Sequence, residues 1–376
     1  MRVDKSKWQK IFLGEVCNLY QPKTIATSCL DSNGKYLVYG ANGVIGKYNE
    51  YNHKFPEVLI TCRGATCGTI NISKPFSWIN GNAMVVHPKE ENLLDFAFLG
   101  KAVSAIDYSK VITGAAQPQI TRANLQKVQI VIPTLVEQQT IASELDAVQE
   151  MIDGYKTQIT DLDALAQSIF LDMFGDPVTN PKGWVIMKIG EISEVTSSKR
   201  IYQSEQTKSG IPFYKISDFP NLIEYGYSDT GIFISQAKYE ELKSQKLVPN
   251  ESDLLITSRG TLGLCYIVKD EDCFYFQDGM ITWLKNLKST VLSAFLGFMF
   301  QSSLFKNQIE KAQNGSTIAY LSIAMIRKFD MIVPPIKLQQ HFVSQVEAIE
   351  KQKELIRDQL AETETLMAER MQYYFS

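Results

Sequence analysis

Residues 133–174 read PTLVEQQTIASELDAVQEMIDGYKTQITDLDALAQSIFLDMF. Apolar residues recur at Ile141, Leu145, Val148, Ile152, Tyr155, Ile159, Leu162, Ala166, Ile169 and Met173, alternating steps of four and three without a break. A period of 3.5 keeps one stripe turned toward a partner, which is the pattern of a coiled-coil seam. At 1.5 Å per residue this seam is about 48 Å long. A single helix cannot bury such a stripe by itself, so the spacing predicts a partner helix. The chain supplies one.

Residues 114–175 align without a gap onto 315–376, every pair 201 positions apart, with 11 identities in 62 pairs. Gly114 falls on Gly315, Lys127 on Lys328, Pro133 on Pro334, Gln138-Gln139 on Gln339-Gln340 and Phe174 on Phe375. The substitutions keep their character: Ile130-Val131-Ile132 becomes Met331-Ile332-Val333. A second seam follows at Phe342, Val346, Ile349, Ile356, Leu360 and Met367, interrupted by Lys353, Thr363 and Arg370 at stripe positions.

The segments ahead of the helices also echo one another. Trp8–Asn42 parallels Trp184–Asp218 at an offset of 176, which pairs Leu13-Gly14-Glu15-Val16 with Ile189-Gly190-Glu191-Ile192. Past an insertion of 20 residues the offset becomes 196: Leu59–Gly64 (LITCRG) matches Leu255–Gly260 (LITSRG), and Met84 matches Met280. A large unit has therefore been duplicated, rather than a short repeat stacked. The expected fold is α+β with a pseudo-twofold internal repeat: a globule at 1–133, a long helix at 134–176, an unlike globule at 177–334 and a second long helix at 335–376.

Composition narrows the classes. A chain of 376 residues has room for two or three domains with their own cores. The longest apolar run, Val291–Phe300, is too short for a membrane span, and MRVDKSKW at the start lacks the apolar core of a signal peptide. The six cysteines (Cys17, Cys29, Cys62, Cys67, Cys265, Cys273) form no CxxC pair, and only three histidines are present (His53, His87, His341). No metal site or disulfide framework is expected, and a reducing cytoplasm fits best. Net charge is −3, but it is unevenly spread: 1–130 carry +6, 131–180 carry −8, 181–333 carry +1 and 334–376 carry −2. Acidic helices would repel phosphate, or serve solubility alone, while the first globule is free to bind an anion.

Several loops could carry recognition. Tyr36–Tyr48 (YLVYGANGVIGKY) is a strand running into a tight Asn42-Gly43 turn, where both residues tolerate positive φ. Chemistry alone makes it an ordinary hairpin, although its small side chains would let the backbone approach a groove. Leu59–Ile70 is a strand entering a loop with Arg63-Gly64 and Thr66, and an Arg at a strand end suits a bidentate contact to a base edge or phosphate. A surface ion pair would explain it equally well, were it not for the recurrence at Arg259-Gly260-Thr261. Leu93–Val111 reads as helical, and Gly114–Gln119, with Gln117, as a polar turn before a strand at Val128–Ile132. In the second half, Lys199-Arg200 has no counterpart in the first. Ile211–Asp218, with Lys215 and Ser217, sits where the first globule has its glycine loop, and the insertion around Phe219–Asn250 is aromatic and polar. The candidate contacts to a base edge or phosphate are thus Asn42, Gly43, Lys47, Arg63, Gly64, Thr66 and Gln117 in the first globule. In the second they are Lys199, Arg200, Lys215, Ser217, Arg259, Gly260 and Thr261.

Motifs for catalysis are missing: no P-loop, no glycine fingerprint for a dinucleotide or methyl donor, no GxSxG and no HExxH. The Asn/Asp-Pro-Pro-aromatic motif of amino-methyltransferases is absent, Val333-Pro334-Pro335-Ile336 coming nearest but lacking its polar and aromatic ends.

Two unlike globules alternating with two like helices resemble the specificity subunit of type I restriction-modification systems. The resemblance is carried by YGANGVIGKY at 39–48, LITCRGATCG at 59–68, GAAQPQITRANLQKVQIVIPTLVEQQTIASELD at 114–146 and IVPPIKLQQHFV at 332–343, with Leu338 standing where Glu137 supplies the usual acid. It implies two target-recognition domains, each contacting half of a split site in double-stranded DNA, and two helices paired antiparallel as a spacer. It implies no cofactor on this chain: S-adenosylmethionine would sit on two methyltransferase subunits, and ATP and Mg on separate restriction-translocase subunits. The seam then acts as a ruler whose 48 Å matches about 14 base pairs at 3.4 Å each. A non-DNA scaffold joining two protein-binding modules, a stand-alone enzyme, or a specificity subunit of another restriction class remain alternatives.

Overall fold

The computed structural model describes residues 4–114, 117–313 and 319–376. Contacts divide it into two compact units, Met1–Gln158 with Ile356–Ser376, and Ile159–Leu355. Each unit thus combines one globule with part of both long helices.

In the first unit, strand Gln9–Phe12 pairs antiparallel with Gln129–Ile132, in the register Gln9↔Ile132. The main sheet is antiparallel, in the order Cys17–Tyr20, Ala83–Pro88, Val58–Thr61, Ile70–Ile72. A smaller sheet holds the hairpin Tyr36–Tyr39/Val44–Tyr48 and a short parallel strand, Trp78–Ile79. All of Val58–Thr61 is buried because both its faces are covered. Leu59 packs with Tyr39, Ile79 and Val85 toward the smaller sheet, while Val58 and Ile60 face Phe98, Leu99 and the long helix. Burial on both faces explains a continuous apolar run in place of the usual alternation.

The second unit repeats this frame. Val185–Lys188 pairs with Asp330–Val333 in the equivalent register, Val185↔Val333. The main sheet runs Glu194–Thr196, Ile281–Lys285, Leu254–Thr257, Cys265–Ile267. The insertion supplies helices Phe219–Tyr225 and Gln236–Ser244 and the strand Phe233–Ile234. That strand pairs with Ile211–Tyr214 as Val44–Tyr48 pairs with Tyr36–Tyr39 in the first unit. One frame therefore carries two different outer layers.

Some expectations are corrected. Leu93–Val111 is not one helix: it holds helix Phe96–Ser104 and a separate 3-10 turn, Tyr108–Lys110. Asp95 starts the first by accepting from the Phe98 amide at 2.9 Å, and Asp107 starts the second by accepting from Ser109 at 3.1 Å. These short caps outweigh the apolar pattern. A helical turn, Arg122–Leu125, also intervenes before the strand, which begins at Gln129. Met84 is not equivalent to Met280: strand register sets Ile60 opposite Met84 and Ile256 opposite Thr282, so the offset has grown to 198 there.

The long helices span Leu135–Phe174 and Ile336–Phe375, 40 residues each. They begin differently. Glu137 accepts from the Thr134 amide at 3.0 Å and hydroxyl at 2.8 Å, a capping box whose hydrogen bonds hold the Glu137 carboxyl below its ordinary pKa. In the second helix Pro335 stands at the N-cap position and Leu338 three residues on, so both side-chain partners of the box are missing. The following glutamine is used identically. Gln138 is fully buried, donating to the carbonyls of Leu93 at 2.9 Å and Pro133 at 3.0 Å and accepting from the Asp95 amide at 2.8 Å. Gln339, 0% exposed, donates to Thr290 at 2.9 Å and Pro334 at 2.8 Å and accepts from Leu292 at 3.0 Å.

The helices pair antiparallel. In the first unit the Tyr374 hydroxyl donates to Glu144 at 2.7 Å, and Lys156 lies 2.9 Å from Glu364. In the second, Phe170 and Phe174 pack against Phe342. Ile141, Leu145, Val148, Ile152, Ala166, Phe342 and Ile349 are buried, whereas Tyr155, Ile159, Leu162, Ile169, Met173, Val346, Ile356, Leu360 and Met367 are half-buried, as expected where only one partner helix covers a side. Phe170 (1% exposed) and Phe174 (0%) lie off the predicted stripe yet form the deepest contacts of the first helix's end, because that face meets Phe295 and Phe298 of the globule. A straight helix also drifts from a 3.5 repeat by about 20° per heptad. The interruptions of the second seam are satisfied locally. Lys353 reaches Asp163 at 2.6 Å and Glu350 at 2.8 Å, the Thr363 hydroxyl donates to Gln359 at 2.7 Å, and Arg370 reaches Glu144 at 3.3 Å.

Candidate nucleic-acid interface

In the first unit the buried Thr61 (0% exposed) ends a core strand and throws the chain into the Arg63 loop. Its hydroxyl donates to the Ala41 carbonyl, tying the hairpin tip at Asn42-Gly43 to that loop. Gly43 adopts φ +88° and Gly64 φ +88°, values that L side chains avoid, so both glycines are required by the backbone. On the loop's other side Arg63 bridges to Gln119, and the Gly64 amide donates to Pro118 at 3.1 Å. Asn42, Gly43, Arg63, Gly64, Thr66 and Gln117 therefore share one rim, with Asn42, Arg63, Thr66 and Gln117 exposed. Lys47 is exposed on the hairpin's return strand opposite Leu37. Gln119 was missed: the bridge that seats it beside Arg63 joins positions 56 apart, which no local pattern reveals.

The second unit assembles its candidates around the turn Gln277–Met280. The Gln277 amide donates to Tyr214 beside Lys215, Asp278 accepts from Arg200 at 3.0 Å, and the Met280 carbonyl accepts from Ser258 beside Arg259. Lys199, Arg200, Lys215, Arg259, Gly260 and Thr261 thus border one feature, and Ser217 lies exposed two residues on from Lys215. Gly260 repeats the positive φ at +64°. Arg200 is partly neutralised by Asp278, and Lys199 approaches Glu241 at 4.0 Å. Lys215 forms the start of a 3-10 turn in which Asp218 accepts from its amide at 2.8 Å. Arg259 lies over the Tyr320 ring, 5.1 Å from its centroid. Tyr320 was also missed, being distant in sequence and adjacent in space.

The first unit also holds a set of polar pairs away from the Arg63 loop. The Tyr20 hydroxyl and His53 Nε2 are 3.0 Å apart, His53 Nδ1 and Asn52 Oδ1 2.6 Å, and His87 Nδ1 and Glu57 2.9 Å. Burial, then the neighbouring His87, holds the His53 pKa below 6.5, and burial raises that of Glu57 despite the His87 contact. Among the described residues no cluster of His, Cys, Asp and Glu is placed to hold a metal, and no helix is long and apolar enough to cross a membrane.

Residues 5–163 and 181–365 both match the type I restriction-modification DNA specificity domain. The chain belongs to the type I restriction-modification specificity family. A putative type I restriction enzyme specificity subunit from Haemophilus influenzae is 27% identical over 96% of this chain and 92% of the relative. A type I specificity subunit from Methanocaldococcus jannaschii is 26% identical over 78% and 71%. The fold is that of the crystallised S subunit from M. genitalium, with a TM-score of 0.65 at 15% identity, covering 100% of this chain and 98% of that one. This specificity subunit accordingly has two DNA specificity domains and recognises DNA. Catalysis in such systems lies in partner subunits.

Proposed function

We propose that each globule of this specificity subunit reads one half of a bipartite, asymmetric DNA site, and that the paired helices set the spacing between the halves. The carrying observation is a common frame with unlike rims: equivalent strands, equivalent Arg-Gly loops and equivalent glutamine clamps support different hairpins and insertions. Duplication of the frame serves two like attachments to one duplex, and divergence of the rims serves two different sequences. The first globule's charge of +6 over 1–130 suits a polyanion.

Along the helices Val136, Met151, Leu165, Leu171, Leu355 and Leu366 are exposed apolar side chains. They support docking of two methyltransferase subunits there, which would bring S-adenosylmethionine, with ATP and Mg belonging to restriction-translocase subunits. The work is then cytoplasmic, where the genome lies. Methylome sequencing of the host with the gene intact and deleted tests the reading: one split motif should lose methylation on deletion, and an unchanged methylome would refute it. Removing one heptad from both helices should shorten the permitted spacer by up to about 3 base pairs, since seven residues span about 10 Å. An unchanged spacer would end the ruler idea.

A further inference from the structure

We infer that Tyr320 is a positioning residue for Arg259, holding its guanidinium ready for a base edge in the second half-site. The inference rests on the reading of the second globule as a DNA-recognition domain, and it concerns how one side chain of that domain is kept in place.

Arg259 stands at the apex of a loop whose base is tightly held. The buried Thr257 hydroxyl donates to Thr261 at 2.5 Å and accepts from the Leu264 amide at 2.9 Å. Ser258, 2% exposed, shares a 2.7 Å hydrogen bond with Thr282, and its carbonyl accepts from Leu321 at 2.9 Å. The backbone at Arg259 therefore has little freedom, and a β-bridge ties it to Tyr320. Beyond it, Gly260 at φ +64° has no heavy atom within 4 Å of where a Cβ would stand, so the apex faces open space.

Tyr320 is just as firmly seated. The Gln313 carboxamide grips its main chain from the end of helix Ser303–Gln313, donating to the Tyr320 carbonyl at 2.7 Å and accepting from its amide at 2.8 Å. Both backbones are fixed, and the guanidinium carbon sits 5.1 Å from the ring centroid. A guanidinium on an aromatic face keeps its in-plane N–H groups free, so stacking orders the fork without using the donors that would meet O6 and N7 of a guanine. Among the described residues the arginines in ion pairs with a carboxylate are Arg200, with Asp278, and Arg370, with Glu144, and Arg259 is not one of them. An ordered, unpaired fork at an open apex loses less side-chain freedom on binding.

The first domain isolates the role of the ring. Arg63 occupies the same bridge position on the same kind of loop, but its partner is Gln119. The frame thus keeps the Arg-Gly apex in both halves and adds the aromatic platform in one.

The test uses the full chain assembled with its methyltransferase partner, selecting from a pool of randomised duplexes, with affinities then measured on the duplex that the unaltered complex selects. Tyr320→Ala and Tyr320→Leu should each weaken binding roughly two- to five-fold and relax the same position that Arg259→Ala relaxes, whereas Tyr320→Phe should behave as the unaltered chain. In an Arg259→Ala background, Tyr320→Leu should cost nothing further. An equal loss in both backgrounds means that Tyr320 stacks on a base or shapes the loop by itself, and overturns the inference, as does no loss at all. If the unaltered complex selects no sequence, the recognition reading itself fails. If it selects one and the coupling is absent, only the role of Tyr320 falls.

Discussion

Replacing Gln138 by Glu changes one group in the clamp that seats the first long helix against its globule. Gln138 Nε2 donates to two carbonyls, at 2.9 and 3.0 Å, and Oε1 accepts from the Asp95 amide at 2.8 Å. A carboxylate in the same rotamer keeps the accepting oxygen but turns its other oxygen toward the two carbonyls, in a site with no exposure. Two acceptors lose their donor and a charge is buried without a counter-ion. At about 1–3 kcal/mol for each unsatisfied buried group, the loss is about 2–6 kcal/mol at neutral pH. The carboxyl can restore one hydrogen bond by taking a proton, so its folded-state pKa is raised above the ordinary value of about 4.3. The folded state then binds more protons than the unfolded one above that value, and stability falls as pH rises through the window. Urea unfolding of the first unit's transition at pH 5 and pH 8 measures both effects. Gln138→Glu should be the less stable at pH 8 and recover part of the deficit at pH 5. A loss below about 1 kcal/mol at pH 8, or one independent of pH, would refute the clamp.

Other outcomes follow from the same structure. Lys353 occupies the position of Ile152 in the repeat, and both its acidic partners, Asp163 and Glu350, are exposed. Lys353→Ile should therefore leave thermal stability unchanged or raise it, since a well-packed apolar residue often replaces a buried ion without loss; a drop of more than about 2 kcal/mol would contradict this. Burial, then the neighbouring His87, lowers the His53 pKa, so the unfolded chain binds more protons as pH falls through the ordinary value of 6.5, and this residue's contribution to stability declines there. His53→Gln should flatten that part of the pH–stability profile; Glu57, with its raised pKa, slopes the opposite way above its ordinary 4.5, so the comparison must be with the parent chain. If Arg63 is bidentate to a guanine, Arg63→Ala costs about 1–3 kcal/mol and relaxes one position of one half-site, visible in the methylome, whereas a uniform loss marks a phosphate contact.

Much of this was legible in the chain. Periodicity along 141–173 announced a paired helix, and the constant offset of 201 located its partner, since a duplication that preserves packing must preserve which positions are apolar. The recurrence of Arg-Gly at 63 and 259 pointed to the loops that border the candidate interface. The stripe misjudged Phe170 and Phe174 because a sequence period reports a helix's average face, and these rings answer to the Ser293–Met299 helix of the globule.

Composition and spacing by themselves determined the two-globule, two-helix order, because burial of apolar area at a fixed period is a local property of the chain. The tertiary structure alone decided which distant residues meet: Gln119 beside Arg63, Tyr320 beneath Arg259, the buried glutamines gripping loops 45 and 49 residues upstream. Those contacts arise from strand register and backbone hydrogen bonding between remote segments. A shift of one residue in the bridged segments would turn Arg63, Gln119, Arg259 and Tyr320 to the opposite face.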